Sequence, residues 1–306
     1  MSQTLPSAGK HKKGIENTRT KLQYASLYIP ALLFYCVFIL FPLGKSVFYS
    51  MTNWNGMDNN AVFVGLTNYI NIFKDPNVMK TFGTTFKYTI TITVFCNLFA
   101  LLLAMALNMK LKTRNVLRAV YFLPNVLSGL IIGYLWSFMF TDPLMKFGKI
   151  IGCTVLGNNI LSSGQWAIFA AAFVTVWRTV GWYMMVYIAG LQGVPSELLE
   201  AAAIDGAGPW QRTKHITLPL LIPSFTINLI LAFERGLKDF DSIFALTNGG
   251  PGDSTLTIAI NIYNQSFFFA RAGYGTAIGI MLFLLVATLS LVQLKYLRKG
   301  EQNVNS

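Results

Sequence analysis

Six long apolar stretches constrain what this 306-residue chain can fold into more than any other feature of its sequence. Each holds roughly 20 predominantly apolar residues, the length that an α-helix needs to cross about 30 Å of hydrocarbon. The apolar residues run on almost without interruption, whereas lipid-facing β-strands would alternate polar and apolar positions. The sequence therefore predicts an all-α, polytopic membrane protein with six transmembrane helices. The stretches are residues 26–48, 86–109, 119–140, 166–190, 218–240 and 273–294.

The composition agrees with this class and excludes several others. Apolar residues make up 54% of the chain and charged residues 12%, so neither a soluble protein nor a nucleic-acid binder is expected despite a net charge of +12. The three cysteines, Cys36, Cys96 and Cys153, lie in or beside apolar stretches with no close pairing, and only two histidines are present. No metal site, cofactor or catalytic residue is therefore predicted.

The distribution of Lys and Arg predicts how the helices are oriented in the membrane. The two ends of the chain and the connections 110–118 and 191–217 together carry 14 basic residues, whereas the connections 49–85, 141–165 and 241–272 carry 5. Basic residues collect in cytoplasmic connections. Both termini are therefore expected in the cytoplasm.

The predicted spans divide the chain into four parts. Residues 1–25 form a basic cytoplasmic tail that leads into the first helix, and residues 26–85 comprise the first transmembrane helix and an external loop. Residues 86–294 form the transmembrane core with a cytoplasmic loop at 191–217, and residues 295–306 form a second cytoplasmic tail. The first span has no small-residue cleavage site after it, so it is interpreted as an uncleaved helix.

The 191–217 loop is unusually organised for a connection between two spans. Pro195 and the acidic residues Glu197 and Glu200 are typical of a helix start, and Gly206 is expected to end that helix. A helix of roughly nine residues is marginal in water on its own. It must therefore pack either against the chain's own cytoplasmic helix ends or in the groove of a partner, and the physics alone leaves both possibilities open.

The sequence of this loop resembles the signature of binding-protein-dependent ABC importer permeases. Residues 200–212 begin with Glu-Ala-Ala and lead to Gly206, and residues 216–219, Ile-Thr-Leu-Pro, stand at the start of the next span. Motifs outside the loop resemble the carbohydrate-uptake branch, of the maltose and multiple-sugar type, and the resemblance covers about residues 24–296. These motifs are Phe63–Tyr69, Asn115–Pro124, Ala189–Gln192, Phe240–Asp241, Leu246–Pro251 and Gly273–Ala277.

The resemblance implies an ABC importer type I permease fold and a transport subunit, with ATP hydrolysis on a separate cytoplasmic ATPase dimer. It also implies a bacterial plasma membrane location among lipid, a second homologous permease, an extracytoplasmic solute-binding protein and a sugar substrate. Residues 196–204 would be a coupling helix, with contact to the ATPase through residues 196–215. The coupling residues implied are Glu200, Ala201, Ala202, Asp205, Gly206 and Pro209. Another solute such as glycerol phosphate, or a secondary transporter driven by an ion gradient, remains an alternative.

Polar and aromatic residues within the spans are candidates for the substrate pathway. Arg178 lies near the middle of the fourth span, where a charge is costly unless it has a function or a partner. A sugar site combines aromatic faces with hydrogen-bonding groups. The predicted pathway residues are Ser128, Trp177, Arg178, Trp182, Tyr183 and Asn228. Packing against lipid or other helices is the alternative for each aromatic residue, and an interhelical hydrogen bond is the alternative for Arg178.

Two further patterns are interpreted as structural. Glu234 with Lys238, and Arg235 with Asp239, are each four residues apart and are predicted to pair along one helix. Small residues that bring helices together are predicted at Gly129 with Gly133 and at Gly275 with Gly279.

Overall fold

The computed structural model describes residues 26, 28–58, 60–109 and 111–305, with side chains described as far as Lys295. The predicted basic tail, residues 1–25, lies outside the described residues. Within the described part the chain is helical, and one isolated antiparallel bridge between Thr52 and Phe63 is its only β pairing. The main helices are α1 (Tyr28–Ser50), α2 (Thr67–Lys74), α3 (Pro76–Asn108), α4 (Arg114–Val126), α5 (Gly129–Thr141), α6 (Pro143–Ile150), α7 (Ala167–Gln192), α8 (Ser196–Ile204), α9 (Pro209–Leu220), α10 (Ile222–Lys238), α11 (Asp241–Thr247), α12 (Ile258–Tyr263) and α13 (Ala272–Asn305).

Four helices are continuous and apolar enough to span a membrane, namely α1, α3, α7 and the Ala272–Lys295 part of α13. They correspond to predicted spans one, two, four and six. The second span begins earlier than predicted, at Pro76 instead of residue 86. The reason is local: the Asp75 side chain accepts a hydrogen bond from the Asn77 amide at 2.9 Å, and Pro76 occupies the first helical position.

The third and fifth spans are bent, which corrects the prediction of single helices at 119–140 and 218–240. α4 and the α5–α6 segment meet at 98°, because Leu127 and Ser128 are both extended, with ψ of 148° and 139°. α9 and α10 meet at 62° around Leu221, which is flanked by Pro219 and Pro223. Each proline removes one backbone donor from the helix. With each bent pair counted as one span, the described residues contain six.

The core of the bundle forms where α3, α4, α7 and α10 pack against one another. Small residues allow these backbones to approach closely, as is usual between membrane helices. A side chain at Gly181 of α7 would place its Cβ 2.8 Å from the Phe122 Cα of α4, and one at Gly236 of α10 would lie 2.8 Å from the Thr89 Cα of α3. Larger side chains at these two positions would push the helices apart.

The predicted glycine contacts are present at three of the four positions. A Cβ at Gly129 would lie 2.9 Å from the Asp241 Cβ, and one at Gly133 would lie 2.6 Å from the Ala245 Cβ, so α5 packs directly on α11. A Cβ at Gly275 would lie 3.1 Å from the Ile262 carbonyl oxygen. Gly279 differs, because the nearest atom is 4.0 Å away and a methyl group would fit.

Of the two predicted ion pairs in α10, one is confirmed and one is wrong. Lys238 pairs with Glu234 one turn away. Arg235 and Asp239 form no ion pair, because α10 ends at Lys238 and Asp239 is extended, with φ −66° and ψ 119°. The Asp239 side chain therefore leaves the face of the helix that carries Arg235.

Candidate functional site

A cavity of about 520 Å³ opens between α7, the last turns of α10 and the start of α11. Three of the predicted pathway residues, Arg178, Trp182 and Tyr183, line it from α7. We call it the charged cavity. Its remaining lining residues are Leu231, Glu234, Arg235, Lys238, Asp239, Phe240 and Asp241.

A buried hydrogen-bonded triangle holds one wall of the charged cavity. The Asp239 Oδ2 atom lies 2.5 Å from the Tyr88 hydroxyl of α3 and 3.1 Å from the Thr175 hydroxyl of α7, and the two hydroxyls are 2.7 Å apart. Tyr88 and Thr175 are fully buried and Asp239 is 8% exposed. The triangle joins α3, α7 and the end of α10, which fixes the Asp239 carboxyl at the cavity wall.

Arg178 is a buried cation whose guanidinium is not satisfied within the protein. Only 9% of its surface is exposed, and its Nε atom has no hydrogen-bond partner in the described part of the chain. The guanidinium lies beside Gly129, where a Cβ would be 3.2 Å from the Arg178 Cζ atom. The terminal guanidinium nitrogens make no hydrogen bond or ion pair within the described part of the chain, and Arg178 lines the cavity, so their N–H groups are available to a ligand there.

The other three predicted pathway residues do not line the charged cavity. Trp177 lines a separate apolar groove beside α3, and its ring packs edge-to-face on Trp136 at 5.4 Å. Ser128 lies exposed at the α4–α5 bend. Asn228 is fully buried and donates from its Nδ2 atom to the Tyr183 carbonyl oxygen at 3.0 Å. Asn228 therefore supports the backbone behind one cavity residue.

Sequence reasoning missed most of the charge in this cavity. Arg178, Arg235 and Lys238 supply cations, and their acidic counterparts are Glu234, Asp239 and Asp241. The signal was present as a dense run of charge at the end of the fifth span, where charge is otherwise avoided. The four-residue spacing of these charges predicts two ion pairs along one helix, but only the pair of Glu234 and Lys238 forms.

The 191–217 loop folds into the predicted helix, which is followed by a turn and a second helix. α8 ends in a Schellman motif: the Gly206 amide donates to the Ala203 carbonyl at 3.2 Å and the Ala207 amide donates to the Ala202 carbonyl at 2.9 Å. Gly206 has φ +82°, a left-handed conformation that glycine reaches without strain. The next helix begins at once, with the Gly208 amide donating to the Gln211 Oε1 atom at 2.8 Å. The direction of the chain is thereby fixed between α8 and α9.

α8 stands away from the bundle, and the loop presents apolar side chains to its surroundings. No residue of α8 is buried. Ile204 is 88% exposed and Trp210 is 70% exposed, and Leu198 is also exposed. Sequence analysis did not single out these three residues. A short helix with this much exposed apolar surface is suited to docking on another protein.

Most of the predicted coupling residues lie on the surface of the protein. Glu200, Ala201, Asp205, Gly206 and Pro209 are exposed, and Ala202 is half-buried. No group of three or more His, Cys, Asp or Glu side chains arranged to hold a metal occurs among the described residues.

Comparison with known proteins matches this arrangement to membrane transport subunits. The family model described as binding-protein-dependent transport system inner membrane component matches residues 96–300. The multiple sugar-binding transport system permease protein MsmF of Streptococcus mutans serotype c is 38% identical over 275 residues, which cover 90% of this chain and 94% of that protein. The probable starch degradation products transport system permease protein AmyD of Thermoanaerobacterium thermosulfurigenes is 34% identical over 274 residues, which cover 89% and 92% of the two chains.

A solved structure has a similar fold. It is a chain of a bacterial ABC transporter involved in the import of the acidic polysaccharide alginate, with a TM-score of 0.80 and 22% sequence identity. The superposition covers 94% of this chain and 99% of that chain. The long helices, bent spans and 191–217 loop therefore belong to one known architecture.

Proposed function

The chain belongs to the binding-protein-dependent transport system inner membrane components, and from that premise we propose that it forms half of a sugar translocation pathway. As a member of this family it is a multi-pass permease subunit of a bacterial plasma membrane ABC importer and not an enzyme, because ATP is hydrolysed on a separate subunit. The proposed substrate is an oligosaccharide. The names of the relatives MsmF and AmyD, which refer to multiple sugars and starch degradation products, support this choice.

The charged cavity carries the proposal for the substrate. Trp182 and Tyr183 offer aromatic surface for the apolar face of a sugar ring, and the terminal guanidinium nitrogens of Arg178 offer N–H donors for its hydroxyls. The acidic residues Glu234, Asp239 and Asp241 add carboxylate acceptors, so the cavity offers both donors and acceptors to the hydroxyl groups of a sugar. In this proposal Asn228 positions the backbone at Tyr183, Ser128 lies at the α4–α5 bend, and Trp177 belongs to the bundle's apolar exterior.

The 191–217 loop is proposed to receive the movement of the ATPase. Exposed apolar residues Leu198, Ile204 and Trp210 would enter a groove of that subunit, and the exposed carboxylates Glu200 and Asp205 would meet cations at its rim. The predicted set Glu200, Ala201, Ala202, Asp205, Gly206 and Pro209 keeps its proposed coupling role. Gly206 would set the angle between α8 and α9, so that a push on α8 reaches α10 and its cavity residues.

The proposed orientation has both termini and α8 in the cytoplasm. The excess of Lys and Arg in the connections on that side supports it. The starts of α3, α7 and α13 then face the extracytoplasmic side, together with the end of α10. This arrangement would present the charged cavity to solute delivered by a binding protein and α8 to a cytoplasmic ATPase dimer shared with a second permease.

Uptake through the assembled complex tests the proposed function. This permease, its partner permease, the ATPase and the binding protein are reconstituted in proteoliposomes and supplied with labelled maltotriose, raffinose or glycerol 3-phosphate. We expect ATP-dependent uptake of a saccharide that requires the binding protein and fails in an Arg178→Ala variant at normal abundance. Uptake of glycerol 3-phosphate alone would contradict the sugar assignment, and uptake by this chain alone under an ion gradient would contradict the dependence on ATP.

A further inference from the structure

A second polar cavity lies at the opposite end of the bundle from α8, outside the charged cavity. It measures about 500 Å³, within the range of small-molecule sites. It lies where α1 ends and where α3 and α13 begin, between the loop after α1, helix α2 and the first turn of α13. We call it the mouth pocket. Its lining residues are Asn53, Trp54, Asn68, Asn71, Lys74, Asp75, Ala270, Arg271 and Tyr274.

The walls of the mouth pocket are fixed by hydrogen bonds. Asn68 is 8% exposed and donates from its Nδ2 atom to the Ser50 and Thr52 carbonyl oxygens at 2.9 and 2.8 Å, which ties α2 to the end of α1. The Gly273 amide donates to the Trp54 carbonyl oxygen at 2.8 Å, which ties the loop to α13. A Cβ at Gly273 would lie 3.1 Å from the Trp54 amide nitrogen, so the loop and α13 are in direct contact. The pocket is therefore preformed.

The polar groups that line the mouth pocket are largely unused by the protein. The side chains of Asn71, Lys74 and Arg271 make no hydrogen bond or ion pair within the described part of the chain. Asn53 uses only its Oδ1 atom, which accepts from the Val62 amide at 3.0 Å and leaves the Nδ2 donor free. These groups provide several donors and acceptors around one open space, a pattern suited to a ligand with many hydroxyls.

Aromatic surface accompanies these polar groups. The Trp54 ring is fixed by stacking on Tyr49, with centroids 4.3 Å apart and an interplanar angle of 25°. Its Nε1 atom donates to the Asp58 carbonyl oxygen at 2.7 Å, so the polar edge of the ring is already satisfied. Tyr274 contributes a second ring from α13. Rigid rings beside amide side chains can hold a pyranose through its apolar face and its hydroxyls together.

We propose that the mouth pocket is a second carbohydrate-binding site, which holds one ring of an oligosaccharide at the extracytoplasmic end of the permease. The inference rests on the proposed function, namely that the chain transports saccharides, and on the proposed orientation. A carboxylate from a partner protein fits the lining less well, because the lining already contains the Asp75 carboxylate and its amides outnumber its cations. The pocket would keep the substrate near the pathway between release from the binding protein and entry into the charged cavity.

Protection of a cysteine at the pocket wall tests the inference. Ala270→Cys is introduced after replacement of Cys36, Cys96 and Cys153, and Asn158→Cys, an exposed position away from the pocket, serves as the matched control. The assembled complex in nanodiscs, without binding protein, is treated with a membrane-impermeant maleimide in the presence of millimolar maltotriose or raffinose. We expect the saccharide to slow labelling at position 270 several-fold and to leave position 158 unchanged.

Second substitutions locate the protection and separate it from transport. Arg271→Ala in the Ala270→Cys background should weaken protection about tenfold, the effect of one lost charged hydrogen bond. Arg178→Ala should leave protection intact while abolishing uptake. Saccharide uptake by the parent complex without any protection at position 270 would overturn the pocket inference alone. Protection by the binding protein together with no protection by saccharide alone would identify a protein-docking site and also overturn it. Absence of saccharide uptake with protection retained would refute the proposed function and leave the pocket standing.

Discussion

The Tyr88 hydroxyl and the Asp239 carboxyl are 151 positions apart in the sequence and 2.5 Å apart in the structure. Their contact joins α3 to the end of α10 inside the bundle. Thr175 of α7 completes the contact, so three helices meet at one buried carboxyl. The wall of the charged cavity depends on this arrangement.

Removal of the Tyr88 hydroxyl should destabilise the bundle. Tyr88→Phe keeps the ring but leaves the buried Asp239 carboxyl short of one donor, at an expected cost of about 1 to 2 kcal/mol. Tyr134→Phe is the control, because Tyr134 is 59% exposed and its hydroxyl makes no hydrogen bond in the described part of the chain. Thermal unfolding of the purified complex in detergent measures both. Equal midpoints for the two variants would contradict a stabilising role for the triangle.

The two tryptophans of α7 should differ in their effect on transport. Trp182→Leu removes an aromatic face from the charged cavity and is expected to lower the uptake rate about threefold to tenfold, the equivalent of one aromatic contact. Trp177→Leu changes only the apolar groove beside Trp136 and should leave the rate near that of the parent. Uptake at matched membrane abundance measures the difference. A larger loss of uptake rate in Trp177→Leu than in Trp182→Leu would show that the substrate pathway follows the Trp177 face of α7, which contradicts the proposal.

Substitutions at Gly206 should impair coupling in a graded order. A Cβ at Gly206 would meet no atom within 4 Å, so only the positive φ of +82° opposes a side chain. Asn tolerates this conformation better than Val, whose branched side chain adds roughly 1 to 2 kcal/mol of strain. We expect ATPase stimulation by loaded binding protein to fall little in Gly206→Asn and strongly in Gly206→Val. Similar ATPase rates in the two variants would contradict the expectation that a side chain at Gly206 strains the turn.

The glycine pairs should respond differently to a single methyl group. Gly133→Ala places a Cβ 2.6 Å from the Ala245 Cβ and is expected to destabilise the complex by about 1 to 3 kcal/mol. Gly279→Ala meets its nearest atom at 4.0 Å and should be neutral or slightly stabilising. Thermal unfolding of the two variants compares them directly. A neutral Gly133→Ala would mean that α5 and α11 are free to separate.

Much of the architecture follows from local sequence, because hydrophobic length and helix-ending residues act locally. The apolar stretches predicted the spans, and Gly206 predicted the end of α8. The bends at Ser128 and Leu221 were missed, since apolarity alone does not report a change of direction within a span.

The charged cavity was only partly predictable, because its walls come from distant parts of the chain. Arg178 stood out as a charge inside a span. The partners of Asp239 did not, since Thr175 and Tyr88 are 64 and 151 positions away. The four-residue spacing to Arg235 was misleading, because it assumes a helix that continues through Asp239, whereas α10 ends one residue earlier.

Cross-linking from α8 tests the central claim most directly, namely that this exposed helix docks on a separate ATPase. Ala203, which is exposed on α8, is replaced by Cys in a chain without its native cysteines, and a short bifunctional reagent is applied to the native assembly. The account predicts a covalent product with the ATPase subunit whose yield changes when nucleotide is added. A product confined to this chain, with no ATPase attached at any nucleotide state, would contradict it.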